Sequence, residues 1–199
     1  MKKIKIIAIV GSLRRDSYNR QLAMETGRIL GKLAADQVCD PAEFELLDYS
    51  DVPLLNQDNE YPAPDAVRRV RGIVQGADGV WFFSPEYNHF FTGALKNLID
   101  WLSRPISDSE GQVLRGKPAA VSGITPGISG TGIAQDHLVT LLSFLNMKIM
   151  NQPRLVIPNA MQQTDQNGRL ALTSSAPFLE KQAQEFLLFI RDQVIRNKG

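Results

Sequence analysis

Cysteine is nearly missing from this sequence: Cys39 is the only one among 199 residues, so no internal disulfide can form. Two histidines add too little to complete a structural zinc or iron–sulfur ligand set, and no metal is expected. Charge of one sign is missing too, since 22 Lys and Arg stand against 21 Asp and Glu. Without a net field, nothing gathers a nucleic acid or holds the chain on an acidic membrane surface. No apolar run approaches the roughly 20 residues needed to cross a bilayer. The opening Met1-Lys2-Lys3-Ile4 has the charge of a secretory leader, but Lys5 interrupts the apolar run, which ends at Gly11 with no small-residue cleavage site. Repeats, low-complexity tracts and linkers are absent as well. What remains, 43% apolar and 22% charged residues, is the composition of one folded domain over residues 1–199, expected in the cytoplasm.

Against those absences stands a regular alternation of apolar patterns. Ile4 to Val10 is a nearly continuous β-branched run, as in a strand buried on both faces of a parallel sheet. Leu22, Ile29, Leu30 and Leu33 then recur at helical spacing, with Ser17 or Asn19 placed to cap the helix, which fades near Asp36. Phe44–Leu47 reads as a second strand, Asp51–Pro64 as a long loop of the kind that often carries function, and Ala66–Gln75 as a helix. Gly79–Ser84 is a third strand, followed by a helix with Leu95, Leu98, Ile99 and Leu102 inward and Pro105 at its end. Ala119–Gly123 gives a fourth strand, Leu138 to Leu145 a helix, Leu155–Ile157 a fifth strand, and Leu179–Ile195 a closing helix. Such alternation predicts an open α/β sheet with helices on both faces, and ligands bind such sheets at the carboxyl ends of the strands.

Three loops lie at those ends. Gly11-Ser12-Leu13-Arg14-Arg15-Asp16-Ser17-Tyr18-Asn19 leads into a helix, whose unpaired N–H groups and positive end favour a phosphate. The hydroxyls of Ser12 and Ser17, the Asn19 amide and a guanidinium, Arg14 ahead of Arg15, could complete the cradle. Neither a Walker ending nor a dinucleotide glycine fingerprint is present. The competing reading makes Ser17 and Asn19 plain caps. Ser84-Pro85-Glu86-Tyr87-Asn88-His89 mixes a rigid proline with polar and aromatic groups, suited to grip the edge of a flat ring while Tyr87 covers it; alternatively Glu86 only caps a helix and Tyr87 only packs. Gly123 to Gly132 carries four glycines, which allow close backbone approach to a ligand or simply a turn into the next helix.

Taken together, Gly11-Ser12-Leu13-Arg14 with Ser17 and Asn19, Pro85-Glu86-Tyr87-Asn88, Gly93-Ala94-Leu95-Lys96-Asn97, Ile99 to Arg104 and Gly116-Lys117-Pro118 resemble the NADPH-dependent FMN reductase family of flavodoxin-like proteins, near its chromate and quinone reductase branch. The resemblance implies a three-layer sandwich around a five-stranded parallel sheet in the order 2-1-3-4-5, with FMN at the switch point. It assigns Ser12, Arg14, Ser17, Tyr18 and Asn19 to the flavin phosphate and Pro85, Glu86, Tyr87 and Asn88 to the ring. Ile124, Thr125 and Gly127 fall at further flavin contacts, although Pro126 and Ile133 depart from the family's usual residues there. It also implies a homodimer or homotetramer; Trp101 and Leu102, on the helix after the ring loop, are the candidate interface, with ordinary core as the alternative.

The function so implied is an NAD(P)H oxidoreductase. NADPH or NADH passes hydride to FMN, and a small-molecule acceptor (a quinone, free flavin, azo compound or chromate-like ion) then takes the same place. No protein side chain is expected to be catalytic in itself, because the flavin carries the chemistry. A non-enzymatic flavodoxin-like electron carrier is the alternative, against which stand the balanced charge and the lack of a Ser/Thr-Gly-Asn-Thr phosphate loop. A flavin-free scaffold is a third.

Overall fold

The computed structural model describes residues 3–107 and 109–196. Its strands are β1 (Ile4–Val10), β2 (Ala42–Leu46), β3 (Gly79–Phe83), β4 (Pro118–Ile124), β5 (Lys148–Ile149) and β6 (Leu155–Ile157), and its helices are α1 (Tyr18–Ala35), α2 (Asp65–Gln75), α3 (Gly93–Ser103), α4 (Gly132–Phe144) and α5 (Ala176–Arg196). All pairings are parallel and the sheet runs β2-β1-β3-β4-β5, the flavodoxin-like order. One expectation is corrected in detail. The fifth position holds two short strands, with β5 beside the start of β4 and β6 beside its end. Pro153 lies between them, and a residue with no N–H cannot continue a ladder.

The side-chain period of two sends alternate residues of each strand to opposite faces. Ile7, Ile9, Val80, Phe82, Ala119 and Val121 pack against α2, α3 and α4. Ile6, Ala8, Trp81, Phe83 and Ala120 pack against α1 and α5. Burying each large side chain of β3 contributes roughly 1.5–3 kcal/mol relative to exposure. The polar groups on the second face are matched: Trp81 Nε1 donates to Ser122 Oγ at 2.8 Å, Ser122 Oγ to Gln182 Oε1 at 2.7 Å, and Gln182 Nε2 to the carbonyls of Val121 and Pro153.

The long loop is strapped along α3. Asn97 Oδ1 accepts from Leu55 N at 2.8 Å, and Asn97 Nδ2 and Trp101 Nε1 both donate to Pro53 O. Arg104 grips buried Glu60 at both oxygens, 2.6 and 3.0 Å, and buried Arg71 donates twice to Trp101 O. Trp101 and Leu102 are therefore core residues with no exposed surface, which overturns their expected place in an interface.

The Glu60 pair makes the fold sensitive to acid. The Arg104 hydrogen bonds, opposed by burial, hold the Glu60 carboxyl below its usual range. A depressed carboxyl contributes stability above the unfolded value, near pH 4.3, and loses it as the pH falls through the folded value. Glu60→Gln is expected to cost about 1.5 kcal/mol at pH 7, with the gap to the wild type closing below about pH 4. Urea melts across that range check it; a gap that does not change with pH would count against the pair.

Candidate functional site

Gly11 follows β1 with its N–H donating to Phe83 O at 2.7 Å, so the loops after β1 and β3 leave the sheet side by side. A Cβ at Gly11 would lie 3.1 Å from Ser84 Oγ and 3.3 Å from Pro85 Cδ, which fixes how closely the two loops approach. Two side chains hold the corner from beneath. Tyr49 Oη donates to Val10 O at 2.6 Å, and Thr92 Oγ1 donates to Gly11 O at 2.6 Å while accepting from Leu95 N at the start of α3. Burial pushes the Tyr49 hydroxyl well above its ordinary value, so it stays a donor. Thr92 had a readable signal, a threonine just before a helical run; Tyr49 had none.

Along the first loop Ser17 is the N-cap of α1, its Oγ accepting from Arg20 N at 3.4 Å. Arg14 N donates to Ser12 Oγ, and Arg14 O accepts from Ser17 N. Among the described residues, nothing accepts from the N–H groups of Ser12, Leu13, Arg15 and Asp16, and the Arg14 and Arg15 guanidinium groups are exposed without an ion pair. The first turn of α1 holds no acidic residue. Free donors, two exposed cations and a positive helix end therefore occur within one short segment, the requirements of a bound phosphate.

Two expected contacts turn inward. Asn19 is buried, and its amide pairs with both backbone groups of Ile124: Nδ2 donates to Ile124 O at 2.9 Å and Oδ1 accepts from Ile124 N at 3.1 Å. The Asn19 amide thus ties α1 to the end of β4, and Ile124, buried and paired, turns away from solvent. Tyr18 is half-buried and packs with the α1–α5 core. Thr125 and Gly127 remain at the surface of the glycine turn, pinned by Thr125 N to Ile157 O and Asn159 N to Gly127 O.

The loop after β3 is a tight hairpin. Tyr87 and Phe90 exchange backbone hydrogen bonds of 2.9 and 3.0 Å, and Asn88 and His89 between them are both left-handed, at φ 54 and 60. That pair of angles is the primed turn that keeps a two-residue hairpin twisted correctly. It carries Tyr87 and Asn88 into solvent, Tyr87 58% exposed. Glu86 points the other way, its side chain 6% exposed and Oε2 accepting from Ala134 N at 3.0 Å. Glu86 thus caps the first turn of α4.

Among the described residues no group of His, Cys, Asp or Glu forms a metal cluster, and no helix is long and apolar enough to cross a membrane. The model of the NADPH-dependent FMN reductase family matches residues 4–162. A 2-hydroxy-1,4-benzoquinone reductase of Burkholderia sp is 36% identical over 190 residues, 96% of this chain and 98% of that one. An NAD(P)H-dependent FMN reductase of Pseudomonas aeruginosa is 38% identical, over 94% and 96%. Among solved structures, the flavoenzyme NAD(P)H:(acceptor) oxidoreductase FerB of Paracoccus denitrificans has a TM-score of 0.79 and 32% identity, over 96% of this chain and 98% of that one.

Proposed function

The chain belongs to the NADPH-dependent FMN reductase family, and from that premise we propose that it is a cytoplasmic, single-domain FMN enzyme that takes hydride from NADPH or NADH and reduces a small acceptor of the quinone class. The observation that carries the reading is the junction at Gly11, which brings the loop with the free N–H donors beside the hairpin loop that follows β3. Bound there, FMN would supply a centre that accepts one hydride, that is two electrons with a proton, from the nicotinamide and passes both electrons on to the acceptor. Ser12, Arg14, Ser17 and the backbone N–H groups of the loop and of Asn19 hold its phosphate; Pro85, Tyr87 and Asn88 hold its ring, with Thr125 and Gly127 alongside. N–H donors fixed in advance lower the cost of placing added charge on the ring, and an exposed hairpin leaves one side open for donor and acceptor in turn. Purified protein carrying FMN, assayed with both nicotinamides against a quinone panel, tests this; bound FMN that neither nicotinamide reduces would leave only the electron-carrier reading.

Arg14→Ala is expected to weaken FMN binding on the order of tenfold, and Arg15→Ala far less, since Arg14 lies within the turn closed by Ser12 and Ser17. Equal losses in a flavin fluorescence titration remove that assignment. For the homodimer or homotetramer, the exposed side of α4 offers a surface in place of Trp101 and Leu102. Ile133, His137 and Phe144 share one helical face, beside Phe90, whose ring lies 4.5 Å from that of His137. Sedimentation at micromolar concentration is expected to give at least a dimer; a monomer withdraws the proposal.

A further inference from the structure

We infer that Glu86 is the positioning residue of the flavin ring, acting through the N-terminus of α4 and not by touching the ring. The inference rests on the FMN reading above. A carboxylate with only 6% of its side chain exposed needs a partner, and the partner is the N–H of Ala134 in the first turn of a helix of 13 residues. The helix in turn lacks a cap of its own. Thr131 precedes it in the left-handed region, at φ 79, and makes no capping bond; its Oγ1 instead accepts from Gln135 Nε2 at 3.1 Å. The cap is supplied across 48 positions of sequence by the residue just before Tyr87.

This anchor controls the hairpin. Asn88 and His89 are non-glycine residues held in the left-handed region, where a turn persists only if its surroundings fix it. Two backbone bonds close the turn, but its orientation relative to the sheet depends on what grips its base. Pro85 is packed beside Gly11 on one side, and Glu86 reaches α4 on the other. The second oxygen of Glu86 lies 3.4 Å from Nδ1 of exposed His89, so the same carboxylate reaches both α4 and a central residue of the turn it supports. Releasing Glu86 frees the backbone of Tyr87 and Asn88 to move while leaving the Gly11–Ser17 loop as it is.

The test compares two ligands that share a ring and differ in a phosphate. FMN and riboflavin are titrated into apoprotein of wild type, Glu86→Ala and Glu86→Gln, well below each protein's melting temperature, with the visible circular dichroism of the bound flavin recorded. Glu86→Ala is expected to weaken FMN and riboflavin by the same factor, about tenfold, with an altered flavin spectrum. Glu86→Gln, whose amide oxygen still accepts from Ala134 N, is expected within about threefold of wild type. Should Glu86→Ala fail to fold, Glu86→Asp, one methylene too short for the same contact, carries the comparison. A lowered melting temperature with unchanged affinities makes Glu86 a plain helix cap and overturns the inference, as does a loss confined to FMN. Wild-type protein that binds neither flavin overturns the functional reading itself, an outcome separate from the others.

Discussion

Gly123→Ala is expected to destabilise the protein by about 3 kcal/mol, the upper end of what overpacking a filled core costs, and to lower the melting temperature by roughly 10 °C. Gly123 sits one residue before the end of β4, with Thr131 folded back over it. A Cβ there would run into Thr131 Oγ1 and would lie 2.5 Å from Ser84 O, a distance at which something must shift. The second obstacle is backbone. Ser84 also donates its N–H to Ser122 O at 3.0 Å and leads directly into Pro85, so any shift propagates into the ring hairpin. Flavin affinity is therefore expected to fall together with stability. The double variant Gly123→Ala/Thr131→Gly separates the two obstacles, since it removes the Thr131 side chain at a φ of 79 that glycine takes without strain. It is expected to recover part of the loss and not all of it. Thermal melts with FMN titrations check this; a single variant within about 0.5 kcal/mol of wild type would mean the site absorbs the methyl group.

The strands and helices were legible because they rest on local periodicity. An unbroken β-branched run such as Ile4 to Val10 has few solutions other than a central strand, whereas the sheet order came only from the family resemblance. Side chains whose partners lie far along the chain were not legible. Trp101 lies on α3 with the inward leucines, yet what covers it is Ala63 and Val67 from before and within α2. Nothing near Trp101 in sequence announces that. Arg104 and Lys96-Asn97 belong to the segment that marks the family resemblance, but Asn97 and Arg104 hold the strap through Leu55, Pro53 and Glu60. A motif thus identified the family while part of its polar content serves the scaffold. The three loops of the candidate site lie at the carboxyl ends of β1, β3 and β4. Their mutual bonds, from Thr92 to Gly11, Glu86 to Ala134 and Asn19 to Ile124, required the fold.

Asn19 is where that distinction has the largest consequence for binding. If its amide served the phosphate directly, removing it would cost one hydrogen bond to the ligand and little else. Because the amide instead pairs with Ile124, Asn19→Ala leaves a buried N–H and a buried C=O without partners, at a cost of about 3 kcal/mol for the two together. It also releases the start of α1 from the end of β4, so the first loop and the glycine turn lose their common reference. Asn19→Asp poses the question in a sharper form. The carboxylate still accepts from Ile124 N, but where Nδ2 donated it now presents an oxygen to Ile124 O, 2.9 Å from the old donor. The new negative charge suits the positive end of α1, which offsets part of the lost bond, yet it stands beside the site proposed for a dianionic phosphate. FMN affinity of Asn19→Asp is therefore expected to fall on the order of a hundredfold with riboflavin affinity much less affected, whereas Asn19→Ala should weaken both flavins alike. If Asn19→Ala keeps full stability and loses FMN alone, the Ile124 pairing is incidental and the amide belongs to the phosphate after all.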